Sequence, residues 1–420
     1  MPVPRRQGLT RRVFFTAALA AVLSLLKGDT IPPKNYFDYY LGSLTSGYAF
    51  NFVSWEITNL AAKLKTSLVD RDYSYLTPDR QQQMVDGYFA TADLMDRLSQ
   101  EIERLHADPG AAEPGRLALL EGKLAAARQR LDGFAAAAEA VLDGQVTTIL
   151  AEEGIGAGLV GVFPPVSTKF EPPPLLLVVS PREKIEIKTG VQMRPNLELN
   201  QIESLEAGAD ALGVSSLVVN IGGIATYPGM IMQTGARDWA VRTIAHEWLH
   251  DYLFLRPLGW SYGQSHEIIA INETVADIAS AEIGNLALQR YYGVPLPPAE
   301  GEPEEEQPPA PGKEPAFNYN KEMRLTRLTA DALLAQGQIA QAEQYMEERR
   351  RFFLSKGYVI RKLNQAYFAF HGSYADSPAS VDPIGQDLRT LRRRTATLKE
   401  FISLTSHLTS YEELKKLIAK

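Results

Sequence analysis

His246-Glu247-Trp248-Leu249-His250 and, downstream, Asn272-Glu273-Thr274-Val275-Ala276-Asp277 decide how the middle of this chain folds. Two histidines four residues apart stand one turn apart on one face of an α-helix. The glutamate between them is rotated by about 100° from its neighbour. Arg237–Leu253 reads as that helix, because Trp239, Ile244, Ala245, Trp248, Leu249, Tyr252 and Leu253 recur at three-to-four spacing. Thr234-Gly235 stands just ahead of it and Arg256-Pro257-Leu258-Gly259 ends it. A second helix is predicted over about His266–Tyr291, carrying Ile268, Ile269, Val275, Ala276, Ala279, Ile283 and Leu286. Glu273 and Asp277 lie four apart on it and share a face. Two antiparallel helices joined by a short turn can converge three ligands on one ion.

Two neutral imidazoles with a carboxylate beside them suit a catalytic Zn²⁺ that keeps room for a third protein ligand and water. Glu273 supplies the third ligand, and Asp277, one turn later, can hydrogen-bond the far nitrogen of a ligand His. The chain has only 6 His in 420 residues, so a chance pairing at this spacing is uncommon. Two structural readings compete. The histidines could be satisfied core residues with Glu247 a solvated helix charge, or zinc could hold two helices together in a non-catalytic scaffold or binding protein.

HEWLH followed by NETVAD resembles the gluzincin branch of the zincin metallopeptidases, the branch that includes thermolysin, in which HExxH precedes NExxxD. The resemblance covers about residues 215–291. It implies that His246, His250 and Glu273 hold one Zn²⁺ per chain, that Glu247 is the general base and that Asp277 orients a ligand imidazole. It also implies hydrolysis of a peptide or protein substrate. The 22-residue spacer, residues 251–272, is a little longer than in thermolysin-like members. The GxMEN signature that some gluzincins use to hold a substrate amino terminus is absent; Gly222–Met230 (GGIATYPGM) stands in a similar position without the Glu. Endopeptidase action is the expectation that follows.

Hydrolysis also needs a donor for the developing oxyanion. The aromatic tract Leu363–Tyr374 is the best source, with His371, Tyr374 and Tyr367 as candidates in that order, against the alternative that these residues are helix core. A strand is predicted over Val214–Ile221, leading into Gly222–Gly229. Gly223, Ile224 and Ala225 are expected to offer an edge to which substrate adds as a strand, Pro228 fitting an edge rather than a central position. An ordinary hairpin turn is the alternative.

The fold class expected is α+β, mainly α: a zincin-like core with a small sheet and active-site helices, plus an N-terminal helical hairpin. Residues 31–155 form a helical N-terminal region whose hairpin runs from Thr77 to about Glu153 around a turn at His106–Gly115. Residues 156–294 form the zincin-like core, where strands at Leu175–Ser180, Lys184–Met193 and Ser215–Ile221 build a small sheet packed on the active-site helix. Residues 295–317 hold 8 prolines and the run Glu304-Glu305-Glu306, the composition of a disordered loop. Residues 318–420 form a C-terminal helical lobe, read as helices over Lys321–Lys356, Val359–Phe370 and two stretches from Ile384 to Lys420.

Arg5, Arg6, Arg11 and Arg12 precede Val13–Leu26, a 14-residue charge-free run. A bilayer span takes about 20 residues, so residues 1–30 fit a signal peptide or an uncleaved anchor, with membrane association through the N-terminus. Thr10–Phe15 (TRRVFF) resembles a twin-arginine export signal. An extracytoplasmic enzyme follows; the alternative is a cytoplasmic protein whose N-terminal helix is buried. Tyr36, Phe37, Tyr39, Tyr40, Tyr48, Phe50, Phe52 and Trp55 crowd the next stretch, where a membrane-interface belt and core packing explain them equally. A net charge of −7 without a basic aromatic surface pattern points away from nucleic acid. The absence of cysteine excludes disulfides and a thiolate zinc site.

Overall fold

The computed structural model describes residues 35–65, 76–107, 115–158, 161–297, 317–374, 377–381 and 383–419. The expected membrane segment at 1–30 and most of the Pro/Glu-rich stretch at 295–317 lie outside them. The chain is mainly helical with small sheets.

Helices α1 (Tyr36–Thr45) and α2 (Phe52–Lys65) come first, followed by α3 (Pro78–Ala107) and α4 (Arg116–Glu152). The last two form the expected hairpin. Arg116 pairs with Glu101 near the turn, and the Phe134 ring lies over Gly87 farther along, so the helices run antiparallel. A Cβ at Gly87 would stand 2.7 Å from that ring, which is why the position holds glycine. Among the described residues α4 alone is long and apolar enough to cross a membrane, but half of its apolar window is buried in the protein. Leu131, Ala138, Leu142 and Ile149 on α4 join Val85, Tyr88 and Ala92 on α3 in the main core.

Eight short strands follow: β1 (Ala157–Gly158), β2 (Gly161–Val162), β3 (Thr168–Phe170), β4 (Leu175–Pro181), β5 (Thr189–Met193), β6 (Val214–Asn220), β7 (Gly223–Ile224) and β8 (Gly229–Ile231). Helix α5 (Leu199–Asp210) separates β5 from β6. One sheet has the order β5-β4-β6, antiparallel throughout, with Leu177 opposite both Val191 and Val218. A second has the order β3-β8-β7, with β3 and β8 parallel and β7 as an outer strand, and β1 and β2 pair antiparallel as a third. The strand expected from Lys184 begins only at Thr189, since residues 182–188 make the turn, where Ser180 Oγ donates to Lys184 O.

After the strands come α6 (Arg237–Phe254), α7 (Pro257–Trp260) and α8 (His266–Tyr292). The C-terminal part holds α9 (Tyr319–Ala335), α10 (Ile339–Ser355), α11 (Gln365–His371), α12 (Ile384–Arg394), α13 (Leu398–Thr405) and α14 (Tyr411–Ile418).

The sheet expected against the HExxH helix lies elsewhere. β4 and β6 are apolar on both faces, so both need cover. Leu177, Val179, Val214 and Val218 pack toward α1 and α5, while Val178, Leu217 and Val219 pack on Ala366 of α11. It is the smaller β7–β8 hairpin that contacts α6. Three further readings differ from expectation. The helix expected over Lys321–Lys356 breaks at Gly337, whose φ of +73° suits glycine. The helix expected from Val359 starts at Gln365, because Asn364 caps it by accepting the Tyr367 N–H at 2.9 Å. The region from Ile384 holds three helices rather than two.

α9, α10 and α11 share a core around Met323, Phe353 and Phe368, whereas α12–α14 bury Leu388, Phe401 and Leu414 in the same core as α8. Arg361 ties α11's leading loop to the sheet: its guanidinium grips both oxygens of Glu206, at 2.6 and 2.9 Å, and Glu206 also accepts the Val218 N–H. Buried charge is tolerated there because it is paired and hydrogen-bonded.

Candidate metal centre

Both motif helices are buried nearly all round. Val241, Ile244, Ala245, Leu249 and Leu253 on α6, and Ile271, Val275, Ala279 and Ile283 on α8, are fully buried. Such helices belong to a core, and their few polar side chains must find partners within it. Ser265 caps α8 by accepting the Ile268 N–H at 3.2 Å, and Gly293 closes it at a φ of +65°. The two helices run antiparallel, as three sets of facing residues show. Gly284 lies against Arg242, His246 against Asp277, and His250 against Asn272 and Glu273. A Cβ at Gly284 would approach Arg242 Cγ to 2.5 Å, so its absence lets the helices close up.

Three donor groups meet at the far end of this contact. His246 Nε2 and His250 Nε2 are 3.0 Å apart, and a Glu273 oxygen lies 3.6 Å from the first and 3.5 Å from the second. Each ring is held from behind. His246 Nδ1 stands 3.1 Å from Asp277 Oδ1, and His250 Nδ1 2.8 Å from Asn272 Oδ1. Both outer partners are acceptors, so each Nδ1 can donate to the group behind it, which leaves each Nε2 available to a metal ion. Two lone pairs and a carboxylate facing one point make an electron-rich triangle that calls for a cation.

The surrounding carboxylates favour positive charge at this point, whether a proton on a ring or a bound cation. Burial pulls His246 down, but hydrogen bonds to Asp277 and Glu273, with the charge of Glu247, hold it well above the usual histidine range. Burial likewise lowers His250, and the charge and hydrogen bond of Glu273 outweigh it to leave the ring raised. Glu273 is pushed up by burial and pulled further down by His250 and His246, ending well below the usual carboxylate range. Glu247 is raised, because burial exceeds the pull of the two imidazoles.

The donor set fits a metal ion. Bonds of about 2.0–2.1 Å around a tetrahedral ion space their donor atoms by about 3.3 Å, close to the separations found here. Among the described residues this His-His-Glu group is the one such cluster. The chain matches no family model, no curated protein and no solved structure.

Around the cluster stand residues of three further segments. Gly223 of β7 touches Glu247: a Cβ there would lie 2.4 Å from Glu247 Oε1 and 2.9 Å from its Cδ. The close approach that the glycine permits is thus made by the protein's own carboxyl group. Ile224 pairs with Met230 across the hairpin, and Ala225 follows it, half-buried, in the turn. Tyr262, in the loop between α7 and α8, donates its hydroxyl to Glu273 Oε1 at 2.9 Å. Its ring is half exposed while the hydroxyl reaches inward.

The three expected oxyanion donors separate. Tyr374 packs on Phe370, with ring centres 5.7 Å apart, and is raised well above the usual phenol range by burial and then by nearby charges, Glu273 first. His371 packs on Tyr367 and Phe370, at ring-centre distances of 4.3 and 5.1 Å. Burial alone pushes its pKa down to about 4. Tyr367 turns its hydroxyl toward Tyr319, 3.5 Å away, in the core of the C-terminal part. The expected order therefore changes, with Tyr374 first. Asn272 and Tyr262 had no assigned role in the sequence reading. Asn272 immediately precedes Glu273, a usable signal; Tyr262 sits in an aperiodic loop that offers none.

Proposed function

We propose that the protein is a zinc-dependent peptidase with a zincin-like core made of α6, α8 and the β7–β8 hairpin. The observation that carries this reading is the meeting of His246 Nε2, His250 Nε2 and a Glu273 oxygen while both Nδ1 atoms are engaged behind them. A zinc ion in a His-His-Glu donor set supplies Lewis acidity and a water acidified to a pKa of about 7.

On this reading Glu247 takes the proton of the attacking water and returns it to the leaving amine. Asp277 and Asn272 fix the tautomers of His246 and His250, and Tyr262 steadies Glu273. Tyr374 donates to the oxyanion as the scissile carbonyl becomes tetrahedral. Gly223, Ile224 and Ala225 offer their backbone to an extended peptide, a role that the outer position of β7 supports.

Chelator-stripped protein, restored with zinc and given a peptide library, tests the reading. Cleavage is expected in the zinc-restored wild type and not in the stripped protein. Glu247→Gln is expected to bind one zinc and cleave nothing. Equal cleavage by Glu247→Gln, or none by any zinc-loaded sample, would overturn the peptidase assignment.

A further inference from the structure

Helix α1 is apolar on two sides. Phe37, Leu41 and Leu44 turn inward onto the core that it shares with α5 and the β5-β4-β6 sheet. Lys188 sits 3.9 Å above the Phe37 ring. Tyr36, Tyr39 and Tyr40 recur at three and four residues and share the other side. They are 73%, 60% and 42% exposed. Instead of dispersing they gather, with ring centres 4.3 Å apart for Tyr36 and Tyr40 and 5.4 Å apart for Tyr39 and Tyr40. Core packing does not account for three clustered aromatics left in water.

What precedes α1 in the sequence bears on what could cover this face. The charge-free run Val13–Leu26 is followed by residues 27–35 and then Tyr36. Nine residues reach at most about 30 Å. With that run held in a bilayer, the tyrosine face cannot leave the neighbourhood of the headgroups. The short tether also gives even a weak contact a high effective concentration. Tyrosine suits this depth, since its ring is apolar and its hydroxyl prefers the wet side.

We propose that the Tyr36, Tyr39 and Tyr40 face of α1 is a membrane-interface contact that lays the folded protein on the bilayer surface. This rests on residues 1–30 being a retained anchor and is independent of the peptidase reading.

The chain lacks cysteine, so Ser43→Cys accepts a single fluorophore on the tyrosine side of α1 while leaving all three rings in place. Full-length protein is bound to phosphatidylcholine vesicles, recovered by flotation and quenched by lipid bearing a headgroup-depth nitroxide. Quenching at position 43 is expected to be at least twofold stronger than for a label at Val359→Cys, a site 86% exposed in the C-terminal part. Replacing Tyr36, Tyr39 and Tyr40 together by Ser is expected to remove that excess while the protein still floats. Equal quenching at both sites in floated protein overturns the tyrosine contact and leaves the anchor standing. Failure to float overturns the anchor and the contact with it. Concentration-dependent self-quenching without vesicles would assign the face to a second copy of the chain, which also overturns the proposal.

Discussion

His246 Nε2 and His250 Nε2 lie 3.0 Å apart, with an acceptor behind each ring at Nδ1. A cation bound by both Nε2 atoms and Glu273 would suit that approach. The geometry of the site is thus enforced from outside, by Asp277 behind one ring and Asn272 behind the other.

Those outer partners carry the first prediction. Asp277→Ala and Asn272→Ala are each expected to weaken zinc binding by about 10–100-fold, the usual cost of losing a group that orients a ligand His. Competition against a chromophoric chelator measures it. Unchanged affinity in both variants would remove the proposed role of the outer contacts.

Gly223→Ala is expected to damage catalysis while sparing the metal. The added methyl would stand 2.4 Å from Glu247 Oε1, so the carboxyl group must move. A displacement of about 1 Å in a catalytic group can cost about 100-fold in rate. Steady-state kinetics beside zinc analysis would check this, with kcat falling at least tenfold and zinc content unchanged.

Tyr262 donates to Glu273 and Tyr374 feels its charge, and different losses are expected of them. Tyr262→Phe removes a hydrogen bond to a ligand carboxylate and should weaken zinc retention about tenfold. Tyr374→Phe should leave zinc retention alone and lower kcat by about 100-fold, as removal of an oxyanion donor does. The same pattern of loss in both variants would contradict this division of roles.

How much of this was legible in the sequence follows from what periodicity can carry. His246, His250, Glu273 and Asp277 were readable because helical spacing fixes which side chains share a face before any tertiary contact is known. The α3–α4 hairpin was readable for the same reason, and β4 and β6 as compact apolar runs. The hairpin that meets α6 was not readable as such, since β7 has two residues and β8 three, too few to show a period. Tyr262 reaches Glu273 across a loop, a relationship set by three-dimensional packing alone. His371 looked chemical because histidine is rare here, yet its neighbours are Tyr367 and Phe370.

His371 gives a pH dependence unconnected with the metal. Burial pushes its pKa down to about 4, against about 6.5 in an unfolded chain. As pH falls below about 6.5 the unfolded state takes up a proton that the folded state refuses. Its contribution therefore lowers stability down to about pH 4 and levels off below that. In denaturant titrations His371→Gln is expected to lose less stability than the wild type between pH 6.5 and 4. Parallel curves would show that the ring is not buried in the neutral form.

Zinc K-edge X-ray absorption of protein loaded with one equivalent of zinc tests the metal centre most directly. Expected is a nitrogen and oxygen shell at about 2.0–2.1 Å with the signature of two imidazoles, one of them lost in His246→Ala. A shell made of oxygen alone, or a spectrum that His246→Ala leaves unaltered, would contradict a zinc ion held by His246, His250 and Glu273.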